Sequence, residues 1–104
     1  MPNPLTNNDL EQLAEHAQQA ALLLKQLSNQ HRLMILCSLI DGELSVTELN
    51  NRTNLSQSAL SQHLASLRNA GLVQTRREAQ TIFYQLQGNE AIRVIRVLKS
   101  IYCP

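Results

Sequence analysis

Residues 57–68 run Gln-Ser-Ala-Leu-Ser-Gln-His-Leu-Ala-Ser-Leu-Arg, a stretch whose side chains divide into two faces when wound as a helix. Leu60, Leu64 and Leu67 share one sector, flanked by Ala59 and His63, and that sector is core. Ser58, Ser61, Gln62 and Ala65 take the opposite face, with Gln57 and Arg68 beside them. Short hydroxyls, amides and one alanine are what a helix needs to enter the major groove of a duplex. Gln bridges an adenine edge, Ser donates or accepts, and Ala permits close approach. No acidic side chain stands on that face to block it. His63 leans toward the core side, where packing or capping competes with base contact.

Arg76 and Arg77, with Gln80 returning, have the spacing of a hairpin tip and suit phosphate contacts or a probe of the minor groove. The net charge of +1 conceals an asymmetry. Residues 1–50 carry two basic and six acidic side chains, a net −4, whereas residues 51–104 carry seven and two, a net +5. From Arg52 to Arg77 there are four arginines and no acid, which is where a polyanion would dock.

Cys37 and Cys103 stand 66 positions apart. In a reducing cytosol such residues are thiols that act only when something oxidises or ligates them. Enzyme chemistry finds little support, since there is no phosphate-cradling glycine loop and no nucleophile motif. Ser56, His63 and Glu48 can be strung into a nominal triad, but helical roles explain each more simply. The expectation is a protein that is not an enzyme and uses no cofactor.

At 104 residues the chain is short enough for one domain. Its apolar fraction of 43% is led by leucine, with only 3% aromatic residues, a composition that favours helices. The longest apolar runs, Ala20 to Leu24 and Leu33 to Cys37, are five residues each, far short of the roughly 18 that cross a bilayer. The first eight residues lack the basic segment and apolar core of an export signal. A cytoplasmic protein without a membrane span is expected, with residues 1–8 a flexible tail and 9–104 the domain.

Leu10, Leu13, Ala14, Ala17, Ala20, Ala21 and Leu24 predict one amphipathic helix over 9–27. Ser28 predicts the cap of a second, from Asn29 to about Ile40, with Leu33, Leu36, Cys37 and Ile40 inward and Asp41-Gly42 ending it. Ser45-Val46-Thr47-Glu48 has capping-box spacing and opens a short helix over 46–51. Arg52 to Leu55 form a turn, Ser56 caps the helix over 57–69, and Gly71 terminates it, which makes a helix-turn-helix. A period of two then predicts a hairpin over 73–86 turning near Glu78-Ala79, and a last helix over 90–102 follows Gly88-Asn89. The fold class is mainly α with a small β-hairpin. One reading helix gives little specificity, whereas a twofold dimer presents two, one turn of duplex apart. The surplus apolar faces of the first and last helices would supply the dimer surface. The expected partners are a second copy and double-stranded DNA carrying an imperfect palindrome.

From about Ala17 to the carboxyl end the chain resembles the ArsR/SmtB-type winged-helix transcription regulators. Residues 27–36 match the opening signature of that family, residues 55–64 its recognition helix, and Gly71-Leu72-Val73 with Tyr84-Gln85-Leu86 its wing. The resemblance implies a dimeric winged helix-turn-helix that releases DNA when a ligand or an oxidant binds. Arsenic-type members carry two cysteines between Glu43 and Leu49, where this chain has Ser45 and Thr47, and hydroxyls do not replace thiolates for a soft metal. Zinc-type members place Asp and His ligands on the last helix, where this chain has Asn89, Glu90, Arg93, Arg96 and Lys99. No metal is therefore expected, and a metal-responsive repressor using Cys37, Cys103 and His16 or His31 is the alternative.

Cys37, Arg77-Glu78-Ala79-Gln80 and the Tyr102-Cys103 ending resemble the dithiol-sensing subgroup of that family. That likeness implies that Cys37 and Cys103 sense reactive sulfur or oxidants. Bridging them would tie the dimerisation helix to the helix preceding the reading unit and change the separation of the two reading helices. A disulfide requires α-carbons about 4.4–6.8 Å apart, and a polysulfide link spans further. Repression and activation by displacing a DNA-bound silencer are both compatible with such a switch.

Overall fold

The computed structural model describes residues 4–104. Helix α1 (Asn7–Glu15) opens on a capping box: the Thr6 hydroxyl accepts from the Asp9 N–H at 3.1 Å, and the Asp9 carboxylate accepts from the Thr6 N–H at 3.0 Å. Asn7 and Asn8 are therefore helical rather than tail, while residues 1–3 of the expected tail lie outside the described residues. The single helix expected over 9–27 is two. His16 leaves helical geometry (φ −113°, ψ 10°), closing α1 and opening α2 (Ala17–Leu27), and its Nδ1 lies 2.9 Å from Gln19 Oε1. Apolar periodicity cannot register that break, because each half keeps its own stripe.

Helix α3 (Gln30–Ser38) is capped by Asn29 and not by Ser28. Asn29 has the extended backbone an N-cap needs, and its Oδ1 accepts from the His31 and Arg32 N–H groups at 2.9 and 3.0 Å. The Ser28 hydroxyl instead donates back to the Lys25 carbonyl at 2.7 Å, at the end of α2. The inward side of α3 is carried by Ile35 and Leu36, with Leu39 just beyond, while Leu33 and Cys37 are half-buried and Ile40 is exposed.

A two-residue strand that the sequence does not announce, β1 (Leu44–Ser45), precedes α4 (Val46–Thr53). Two residues are too few to display a period. The expected capping box forms here: Ser45 Oγ accepts from the Glu48 N–H at 3.1 Å and Glu48 Oε1 accepts from the Ser45 N–H at 3.0 Å. Ser45→Ala removes this cap and costs about 1 kcal/mol, read as a melting temperature lower by about 4–8 °C. Helix α4 runs two residues beyond the expected Asn51 and stops at Asn54, which adopts the left-handed conformation (φ 54°) that asparagine tolerates.

Helix α5 (Gln57–Asn69) has the bounds its pattern predicts, with the Ser56 hydroxyl accepting from the Ala59 N–H at 3.1 Å. It ends in a Schellman motif: Leu72 N–H donates to the Leu67 carbonyl and Gly71 N–H to the Arg68 carbonyl, each at 3.0 Å, with Gly71 at φ +76°. Strands β2 (Val73–Glu78) and β3 (Thr81–Leu86) form the wing, turning through Ala79-Gln80, and β1 pairs with β3, giving the order β1-β3-β2. Helix α6 (Glu90–Tyr102) closes the chain.

The core gathers Leu27, Ile35, Leu36, Leu39, Leu49, Leu60, Leu64, Leu67, Val73 and Ile95. Helix α1 buries none of its residues. Leu10, Leu13, Leu22 and Leu24 on α1 and α2, and Val97, Ile101 and Tyr102 on α6, remain exposed. Among the described residues no helix is long and apolar enough to cross a membrane.

Candidate nucleic-acid interface

Local chemistry seats α5. Leu60, Leu64 and Leu67 are at most 2% exposed and fix the helix on its inner side. Gln57, Ser58, Ser61, Gln62, Ala65 and Arg68 are thereby left exposed on the outer side. His63 sits between the faces, half-buried, with its ring 5.7 Å from that of His31. Burial pushes its pKa down, and the neighbouring Arg32 and His31 push the same way, so the neutral imidazole is favoured.

Two contacts that sequence spacing cannot reveal hold α5 and α3 against α2. Ser66 Oγ donates to Gln26 Oε1 at 2.9 Å across 40 positions, and Arg32 donates from Nε to the Gln26 carbonyl and from Nη2 to the Lys25 carbonyl, both at 3.0 Å. Arg32 thus satisfies carbonyls at the C-terminal end of α2.

The wing stands beside α5, and a cleft of about 440 Å³ between them is lined by Ser61, Arg68, Ile82 and Tyr84 among others. The ladder pairs Arg77 with Ile82 and Arg76 with Phe83, so the two arginines occupy opposite faces of the hairpin. Arg77 and Gln80 are exposed. Arg76 is held: Nη2 lies 2.6 Å from Glu43 Oε1, Nε donates to Glu43 Oε2 at 3.2 Å, and Nη1 lies 2.8 Å from Glu78 Oε2. Its guanidinium carbon stands 4.6 Å over the Phe83 ring. The hydrogen bond from Arg76 holds the Glu43 carboxyl below the usual carboxylate range. Glu43 and Phe83 are neighbours of Arg76 that sequence reading misses, Glu43 because it is 33 positions away.

Cys37, on α3, is half-buried, and Cys103, just past α6, is exposed; both are free thiols. Burial pushes the Cys37 thiol up, and negative charge at Cys103 pushes it further. Among the described residues no three His, Cys, Asp or Glu side chains converge on a common point to hold a metal.

A helix-turn-helix followed by a two-stranded wing defines the class of winged helix-turn-helix regulators. The chain belongs to the ArsR family of bacterial regulatory proteins, whose family model matches residues 29–75. It is 53% identical over 95 residues to the transcriptional activator HlyU of Vibrio cholerae, covering 91% of this chain and 88% of that protein. The solved structure of reduced HlyU from Vibrio cholerae superposes with a TM-score of 0.83 at 52% identity, covering 90% of this chain and 99% of the other. The transcriptional repressor BigR from Xylella fastidiosa superposes with a TM-score of 0.86 at 41% identity, covering 96% and 99%. This protein is accordingly an ArsR-type transcriptional regulator of a DNA-binding family.

Proposed function

We propose that two copies of this chain associate through α1, α2 and α6 in the cytoplasm and read an imperfect palindrome with paired α5 helices. The observation that carries this reading is the outer face of α5: exposed hydroxyls, amides and Arg68 without a carboxylate, seated by three buried leucines. Gln57, Ser58, Ser61 and Gln62 meet base edges in the major groove, with His63 at the margin of that set. Arg68 and the wing residues Arg76, Arg77 and Gln80 serve the backbone, by contact or by placing what makes contact. The exposed leucines of α1 and α2 and the apolar end of α6 support a twofold partner, which would remove them from water.

The effector is an oxidant or a persulfide, and its target is the Cys37/Cys103 pair. The exposed Cys103 thiolate attacks the sulfane sulfur of a low-molecular-weight persulfide, which leaves as thiolate, and Cys103 becomes a persulfide. The Cys37 thiolate then attacks the Cys103 sulfur and expels hydrosulfide. The protein dithiol is oxidised to a disulfide, and the effector is reduced to thiol and sulfide. That one solved relative is described as reduced HlyU supports a redox reading.

Duplex selection tests the DNA-binding half. Wild-type protein enriches a defined sequence from a randomised pool, and Gln62→Ala weakens binding to it by about 1–3 kcal/mol while relaxing preference at one position of each half-site. A protein that enriches nothing even in dilute buffer would overturn the reading.

A further inference from the structure

The wing's two arginines have different surroundings, and their chemistry follows. Arg77 shares its face of the hairpin with Thr75, Ile82 and Tyr84, the face that lines the cleft beside Arg68. Among the described residues it makes no hydrogen bond or ion pair, and its guanidinium is free to meet a phosphate. On the opposite face Arg76 is gripped by the carboxylates of Glu43 and Glu78 and stacked on Phe83. One cation facing two carboxylates leaves a net negative spot, which repels a phosphate until a carboxylate is displaced. The grip also has a mechanical consequence. β1 pairs with β3 alone, at mid-strand Tyr84 and Phe83, whereas the Glu43–Arg76 pair fastens the neighbouring strand to the segment that enters the helix-turn-helix.

We propose that Arg76 is a positioning residue, fixing the angle of the wing through Glu43, and that Arg77 alone of the two meets the DNA backbone. The inference rests on the duplex-binding reading above. Both partners of the Arg76 pair are substantially exposed, so the pair adds little to global stability and its loss leaves the melting temperature nearly unchanged.

The test measures affinity for the duplex selected by wild-type protein, from about 50 to 200 mM salt. Arg77→Gln flattens the slope of log affinity against log salt by about 1, the signature of one lost phosphate contact. Arg76→Gln and Glu43→Gln each weaken binding several-fold with the slope unchanged, and the double variant binds no worse than Arg76→Gln alone, because both changes release the same clamp. If Arg76 instead met phosphate, Arg76→Gln would flatten the slope by about 1, and Glu43→Gln would tighten binding by removing a competing charge. Either result overturns the proposal, as does a Glu43→Gln variant that binds like wild type. Failure of the wild-type protein to select any duplex is a separate outcome and takes the duplex-binding reading down with it.

Discussion

Leu64→Ala lowers the free energy of unfolding by about 2–5 kcal/mol, out of a total that for such a domain is about 5–15 kcal/mol. Leu64 is 2% exposed and stands midway along α5 between Leu60 and Leu67, both fully buried. Its removal leaves a void in a core built almost wholly of leucine and isoleucine, where neighbouring helices cannot close the gap without shifting α5. The polar face is untouched. The variant therefore unfolds at markedly lower denaturant concentration, yet at low temperature its folded fraction binds the selected duplex with wild-type preference. A loss of sequence preference in the folded variant would show that the leucines do more than seat the helix.

Reduced Cys37→Ser and Cys103→Ser proteins bind DNA as the wild type does, and neither releases it on treatment with a persulfide. Wild-type protein so treated loses affinity by a factor of about 5–150, the usual range for coupling between two sites. Mass spectrometry separates the steps: Cys37→Ser retains a persulfide on Cys103, whereas Cys103→Ser forms no bridge. The closing attack needs the Cys37 thiolate, and burial beside Cys103 raises the pKa of that thiol. Less thiolate is then present near neutrality, so bridge formation accelerates as pH rises from 7 toward 9. Release of DNA by either serine variant in response to persulfide would overturn the switch.

Much of the geometry of the candidate site is legible in the sequence, and the reason is local. Leu60, Leu64 and Leu67 share a face, and Ser58, Ser61 and Gln62 the other, through spacing within one helix. The Ser45–Glu48 box and the Gly71 terminator are likewise set by neighbours three or four positions apart. Local rules failed where two local answers compete. Ser28 and Asn29 are both capping residues, yet Asn29 takes the extended backbone and Ser28 closes the helix before it, with Arg32 tying the start of α3 back to the Lys25 and Gln26 carbonyls. His16 broke a stripe that looked continuous, because periodicity records which face is apolar and not where the axis turns.

By itself the sequence determined most of the helices, the polar face of α5, the wing and the charge asymmetry that marks the basic half. Only the tertiary structure decided that Arg76 and Arg77 face opposite ways with one of them clamped, and that Gln26 reaches Ser66. Spacing along a chain settles what a single element presents, whereas contacts across 33 or 40 positions depend on how elements pack.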